Sequence, residues 1–143
     1  MDATDTTVVQ LVDAYRSAVL AKDVDALLAL YAPDVRVYDL WGAWSSEGAD
    51  AWRESVAAWF SSLGEETVHV TMSGLRAQLG TDLAVVEGMV RYEGRTAEGD
   101  RLRSMSNRLT WVLVPGEDET WRIVHEHTSA PVHPETGEVI LQR

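Results

Sequence analysis

The segment WRIVHEHTSAP, Trp121 to Pro131, decides how the rest of the chain is read. At a period of two it places Trp121, Ile123, His125 and His127 on one face of a strand, with Arg122, Val124, Glu126 and Thr128 on the other. The two imidazoles then stand side by side, about 7 Å apart at the usual strand rise. A stripe running from Trp and Ile into two histidines is apolar at one end and titratable at the other, which is the composition of a pocket wall. Ser129-Ala130-Pro131 ends the strand.

Upstream of Trp121 the same period holds through three more runs, 67–79, 83–95 and 102–114. Their connectors, 80–82, 96–100 and 115–119, are rich in turn formers. Long strands joined by short turns are antiparallel neighbours, so the second half predicts a meander. Gly74 interrupts the first run and predicts a bulge that bends the sheet.

Before Thr67 the period is helical. Val8, Leu11, Val12, Tyr15, Ala18 and Val19 predict a helix over 5–21, with Thr6 or Thr7 as N-cap. Asp23 caps a second helix running to about Tyr31, which Pro33 stops. A short strand from Val35 to Leu40 carries Val35, Val37 and Asp39 on one face, so Asp39 is the polar member of an apolar row. Asp50 is expected to cap a third helix with Trp52, Val56, Trp59, Phe60 and Leu63 as its apolar stripe, ended by Gly64. Of Trp41, Trp44, Trp52 and Trp59, three are expected in plain packing. The tail, 130–143, is polar apart from Val139-Ile140-Leu141 and reads as an edge strand or as disordered.

Helices first and long strands after specify an α+β fold: a curved antiparallel sheet with three helices packed on its concave face around a cone-shaped cavity. A length of 143 residues suits one domain, 1–143. The chain has no cysteine, which excludes a disulfide scaffold, a thiolate metal site and a Cys nucleophile. A net charge of -11 repels nucleic acid and anionic membranes. No apolar stretch is long enough for a membrane span and the N-terminus lacks a basic region before an apolar one, so a cytoplasmic protein is expected. There is no GxSxG elbow and no phosphate-binding glycine loop. His125 and His127 with Asp39 have the composition of a two-His-one-carboxylate site, but an opposing arginine disfavours a cation; neither metal nor cofactor is expected.

The stretch DAYRSAVLAKDVDALLALYAPDVRVYDLWG, residues 13–42, resembles ketosteroid isomerase in its spacing from helix tyrosine through KD and YAPD turns to a strand-end Asp. That enzyme belongs to the nuclear transport factor 2-like superfamily. The superfamily also holds SnoaL-like polyketide cyclases and the association domain of calcium/calmodulin-dependent protein kinase II. The last strand, WRIVHEHTSAP, and Arg108 resemble the terminal strand and a pocket arginine of that association domain. The resemblance covers nearly the whole chain and implies a cone-shaped pocket. It places Tyr15 on the tyrosine that donates to the substrate oxyanion and Asp39 on the general base. The isomerase's second, protonated acid falls nearest Asn107, and a slip of one residue would exchange Asn107 for Arg108 on the inner face.

On that footing Asp39, partly desolvated, is a strengthened base, and Tyr15 donates to a carbonyl oxygen as it becomes an enolate. Arg108 adds charge stabilisation and His127 or His125 returns a proton. Trp41, Trp44, Trp59, Asn107 and His125 are the expected substrate contacts. The set suits proton abstraction next to the carbonyl of a small, largely apolar compound: isomerisation, dehydration or aldol-type ring closure. The alternative is a non-catalytic module that binds a small ligand or assembles, with Asp39 paired to Arg108 or a histidine. In 102–114, Met105, Leu109, Trp111 and Leu113 oppose Ser104, Ser106, Arg108 and Thr110. If the Arg108 row faces the cavity, the apolar row faces outward and a homodimer through the sheet would cover it.

Overall fold

The computed structural model describes the backbone of residues 3–143 and the side chains of 6–143. The order is α1 (Ala3–Ala21), α2 (Val24–Leu28), β1 (Tyr31–Tyr38), β2 (Ser46–Glu47), α3 (Ala49–Ser62), β3 (Thr67–Leu79), β4 (Ala84–Arg95), β5 (Arg101–Pro115) and β6 (Trp121–Ser129). The strands form one six-stranded sheet in the order β2-β1-β6-β5-β4-β3. As expected, the fold is α+β with a curved, unclosed sheet and three helices. The meander from β3 to β6 is antiparallel throughout. One pairing departs from that pattern: β1 runs parallel to β6, with Val37 opposite Glu126 and Tyr38 opposite His127. The long excursion through the meander lets β1 and β6 meet side by side despite their distance in sequence.

Apolar periodicity accounts for the helices. Val8, Leu11, Tyr15, Ala18 and Val19 bury one face of α1, which lies on β3, where the Arg16 Nε donates to the Val70 carbonyl over 2.8 Å. The helix starts at Ala3, so Thr6 and Thr7 lie inside it rather than capping it. Asp23 does cap α2, its carboxylate accepting from the Ala26 N–H at 3.0 Å, but α2 ends at Leu28. Tyr31 already belongs to β1, and Pro33 lies within that strand, where its register with β6 shifts. Gly48, with φ 88°, occupies the N-cap position of α3 and donates its N–H to Val35 O over 2.7 Å, leaving Asp50 in the first turn. The bulge at Gly74 is present: the β3–β4 register shifts between Ser73 and Arg76, and Gly74 takes φ +61°. The tail is ordered along the stretch of β5 that β6 leaves unpaired, with Ser106 N–H donating to Leu141 O over 2.7 Å and Gln142 Nε2 to Ser104 O over 2.6 Å.

The faces of β5 settle the Asn107–Arg108 alternative. Asn107, Leu109, Trp111 and Leu113 are buried on the inner face, while Arg108 is exposed and its Nε donates to Ser129 Oγ at 3.0 Å. The apolar row is therefore core, and the ground for expecting a homodimer through it is removed.

A second bulge matters more. The β5–β6 register steps from Val112 opposite His125 to Leu113 opposite Ile123, so Val124 is an extra residue in β6. One extra residue inverts the side-chain alternation beyond it. Ile123 points inward before the bulge; after it Glu126 and Thr128 are buried, while His127 is exposed. The expected face of Trp121, Ile123, His125 and His127 is thus broken in the middle, and the histidines stand on the outer surface.

Candidate active site

Helices and inner sheet face enclose a cavity of about 470 Å³. Its wall draws Tyr15 from α1, Trp52 and Trp59 from α3, Tyr92 from β4, Asn107 from β5 and Glu126 from β6, with Asp39 and Trp41 from the loop after β1. Among the described residues, no lysine, arginine or histidine lines it.

The polar groups form two linked sets. The Tyr15 and Tyr92 hydroxyls share a hydrogen bond of 2.8 Å, and burial raises the pKa of both, so both stay protonated. One hydroxyl donates to the other, and the second proton is free for a ligand. Tyr15 packs edge-on against Trp111 at 5.5 Å, and Tyr92 against Trp59 at 5.9 Å, which fixes both rings. In the other set, Thr128 Oγ1 donates to Asp39 Oδ1 over 3.1 Å. Burial raises the Asp39 pKa, against hydrogen bonds from Thr128 and from the backbone at Trp41 and Leu40. Two residues before Thr128, on the same inner face, lies Glu126, 2% exposed. Its Oε1 accepts from the Tyr31 hydroxyl at 2.7 Å and from Trp111 Nε1 at 2.8 Å.

Glu126 titrates far from its usual range. Burial pushes its pKa up to about 7; the bonds from Tyr31 and Trp111 oppose the rise, and the nearby Asp39 charge adds to it. The folded protein therefore holds a proton that the unfolded chain has already released, from the ordinary 4.5 up to about 7. Stability should be full below that window and fall as pH rises through it. At about 1.4 kcal/mol per pH unit the loss is on the order of 3 kcal/mol. Glu126→Gln, which keeps the shape and an acceptor for Tyr31 and Trp111, should remove this limb and melt higher than wild type at pH above about 7. Parallel melting curves across pH test it; unchanged pH dependence in the variant would assign the limb elsewhere.

Several sequence-based expectations fall inside the cavity. Asp39, Tyr15, Trp41, Trp59 and Asn107 line it. Asn107 is buried and its side-chain oxygen has no hydrogen-bond partner. Others fall outside. Arg108 is on the far face, as stated. The His125 Nδ1 donates to Arg36 O over 2.8 Å, and both histidine rings pack edge-on against Tyr38, at 4.8 and 5.5 Å. His127 and Asp39 do border one open depression of about 690 Å³ at the sheet's end, but from opposite sides of the sheet. Trp44 is 98% exposed there and Trp41 55% at the cavity mouth, so two of the four tryptophans pack in the body rather than three. Neither a link between Asp39 and Arg108 nor a two-His-one-carboxylate set is formed, and among the described residues no cluster of three His, Asp or Glu could hold a metal.

Glu126 and Tyr31 were missed by reading the sequence. The period-two pattern put Glu126 on the solvent face, and nothing in WRIVHEHT marks Val124 as a bulge. Tyr92 was accessible, since it continues the row Ala84, Val86, Val90.

Residues 8–133 match the family model of the SnoaL-like domain. The chain belongs to that family. This SnoaL-like domain has the nuclear transport factor 2-like, or cystatin-like, fold. It superposes on a nuclear transport factor 2-like protein of unknown function from Pseudomonas putida with a TM-score of 0.85, at 21% identity over 99% of this chain and 96% of that one. A putative calcium/calmodulin-dependent protein kinase II association domain from Xanthomonas campestris gives 0.73 at 19% identity, over 90% and 87%. Aln2 from a Streptomyces species gives 0.79 at 10% identity, over 90% and 91%. At these identities the likeness is one of fold. No curated protein matches the sequence. No described helix of this SnoaL-like domain is long and apolar enough to cross a membrane.

Proposed function

We propose that this SnoaL-like domain is a cofactor-independent enzyme that abstracts a proton next to the carbonyl group of a small, largely apolar, uncharged substrate. The observation that carries the reading is the placing of a partly desolvated carboxylate, Asp39, in the same apolar cavity as the hydrogen-bonded Tyr15–Tyr92 pair. Burial strengthens Asp39 as a base. The free tyrosine proton meets the carbonyl oxygen as negative charge builds on it, in a site where few waters compete. A cavity of about 470 Å³ without a cation among its described walls favours neutral compounds over anionic ones.

Two roles expected from the sequence, charge stabilisation and proton return, lose their residues. Arg108 and the histidines leave the mechanism, and Asn107 offers the substrate a polar contact in the cavity wall. The ligand-binding or assembly alternative, suggested by the final strand and by Arg108 as a pocket arginine, keeps the strand but loses the arginine, whose Nε donates to Ser129 Oγ on the far face.

Deuterium exchange at the carbon next to the carbonyl, across a panel of small cyclic ketones, tests the proposal. Wild type should exchange and Asp39→Asn should not. Equal exchange by the two proteins would remove Asp39 as the base, and no exchange by wild type across the panel would overturn enzymatic proton abstraction.

A further inference from the structure

The proposed mechanism leaves one buried acid of the cavity without a task. Glu126 reaches the same chamber as Asp39 from a neighbouring strand, and the two are tied through Thr128, which donates to Asp39 and stands two residues from Glu126 on one face. By strand spacing those two positions are about 7 Å apart. Tyr31 and Trp111 both donate to the same oxygen, Oε1. Among the described residues no other hydrogen bond reaches this carboxyl, so Oε2 is the oxygen left to carry a proton into the cavity. A base and, in the same chamber, a second carboxyl whose Oε2 can hold a proton are more than a one-base isomerisation requires, because there the carboxyl that takes the proton can return it. They are what the departure of a poor leaving group needs.

Resting on the proposed proton abstraction, we infer that Glu126 is the general acid of an elimination, and that the substrates are neutral carbonyl compounds bearing a hydroxyl on the β carbon. Asp39 takes the α proton, breaking the Cα–H bond, and the carbonyl oxygen gathers the displaced charge against Tyr15 and Tyr92. When that electron pair returns it forms the Cα–Cβ double bond and breaks the Cβ–O bond. Glu126 Oε2 gives its proton to the departing oxygen, which leaves as water. The products are an enone and water. Asp39 is left protonated and Glu126 ionised, and one proton passed between them through water restores the start. The raised pKa of Glu126, about 7, keeps a large protonated fraction at neutral pH.

The test compares two leaving groups. β-Hydroxycyclohexanone needs an acid, because hydroxide leaves poorly; β-acetoxycyclohexanone does not, because acetate leaves unaided. Wild type should form the enone from both. Glu126→Gln should lose water elimination by about 10²- to 10⁴-fold while acetate elimination falls far less. In wild type, water elimination should decline as pH rises through about 7, and acetate elimination should not. That pH comparison needs no variant, so it decides the matter even if Glu126→Gln folds poorly. Equal losses on both substrates, or parallel pH profiles, would reduce Glu126 to a structural group and overturn the inference. So would α-deuterium exchange by wild type without enone from the hydroxyketone, which would leave the proposed proton abstraction standing. Absence of exchange altogether would remove both.

Discussion

Trp111→Glu is expected to yield an unfolded or aggregated protein, not a folded one with an altered subunit count. Trp111 is 0% exposed, packs edge-on against Tyr15, and gives its indole N–H to Glu126. Losing so large a buried ring typically costs about 3–5 kcal/mol. The new carboxylate would also stand unpaired in the core beside Glu126, a further penalty of several kcal/mol. Total stability of an ordinary domain is only about 5–15 kcal/mol, so the sum reaches the limit of what the fold tolerates. Circular dichroism and light scattering on the purified variant test this. A well-folded variant of lower mass than wild type would mean that Trp111 faces a partner and that the inner face of β5 is wrongly assigned. Trp111→Phe should fold, at lower stability, and raise the Glu126 pKa further by removing one donor to its charged form.

For Asp39→Asn the expected result is loss of turnover without loss of binding. The amide oxygen can still accept from Thr128, and the side-chain volume is nearly unchanged. What disappears is the capacity to take a proton, which typically contributes about 10²- to 10⁴-fold in rate. The variant should therefore show kcat lowered by about that factor, ligand affinity close to wild type, and a melting temperature unchanged or higher, since a partly desolvated charge has been removed. A matched fall in affinity would show that the carboxylate holds the ligand rather than acting on it. Tyr15→Phe makes a companion measurement: its ring still packs on Trp111, so a slower rate with an intact fold reports the hydroxyl alone.

The architecture was legible because it rests on patterns that act over many residues. The α1 stripe and the alternation along β3, β4 and β5 each repeat an instruction several times, and the turn-forming connectors agree with them. The cap at Asp23 and the bulge at Gly74 were legible for a different reason, since each uses a residue with a specific backbone or hydrogen-bonding capacity. Tyr15 and Asp39 came from resemblance to a family whose fold the structure shares. What escaped depended on single backbone events. Val124 has no conformational peculiarity that would announce a bulge, yet it decides the facing of every residue after it. The parallel β1–β6 pairing brings together segments about ninety positions apart, and no local periodicity reports such a meeting. Arg108 was placed by analogy to a pocket arginine, and the core's demand for Leu109 and Trp111 overrode it.

The unpaired Val124 also acts as a selector between two chemistries. Residues 125–128 offer a carboxyl and a threonine hydroxyl to one side and two imidazoles to the other. If Val124 instead took a regular place in the ladder, strict alternation from Ile123 would rotate the set by half a turn. The chamber would then hold His125 and His127 where it now holds Glu126 and Thr128, and Asp39 would lose its hydroxyl donor. A carboxylic-acid site and an imidazole site are thus one bulge apart in this strand, with the walls and the volume of the chamber supplied by other elements. Deleting Val124 outright would remove the bulge and leave Glu126 and Thr128 facing inward, so a change of register rather than of length exchanges the proton-handling groups of the chamber.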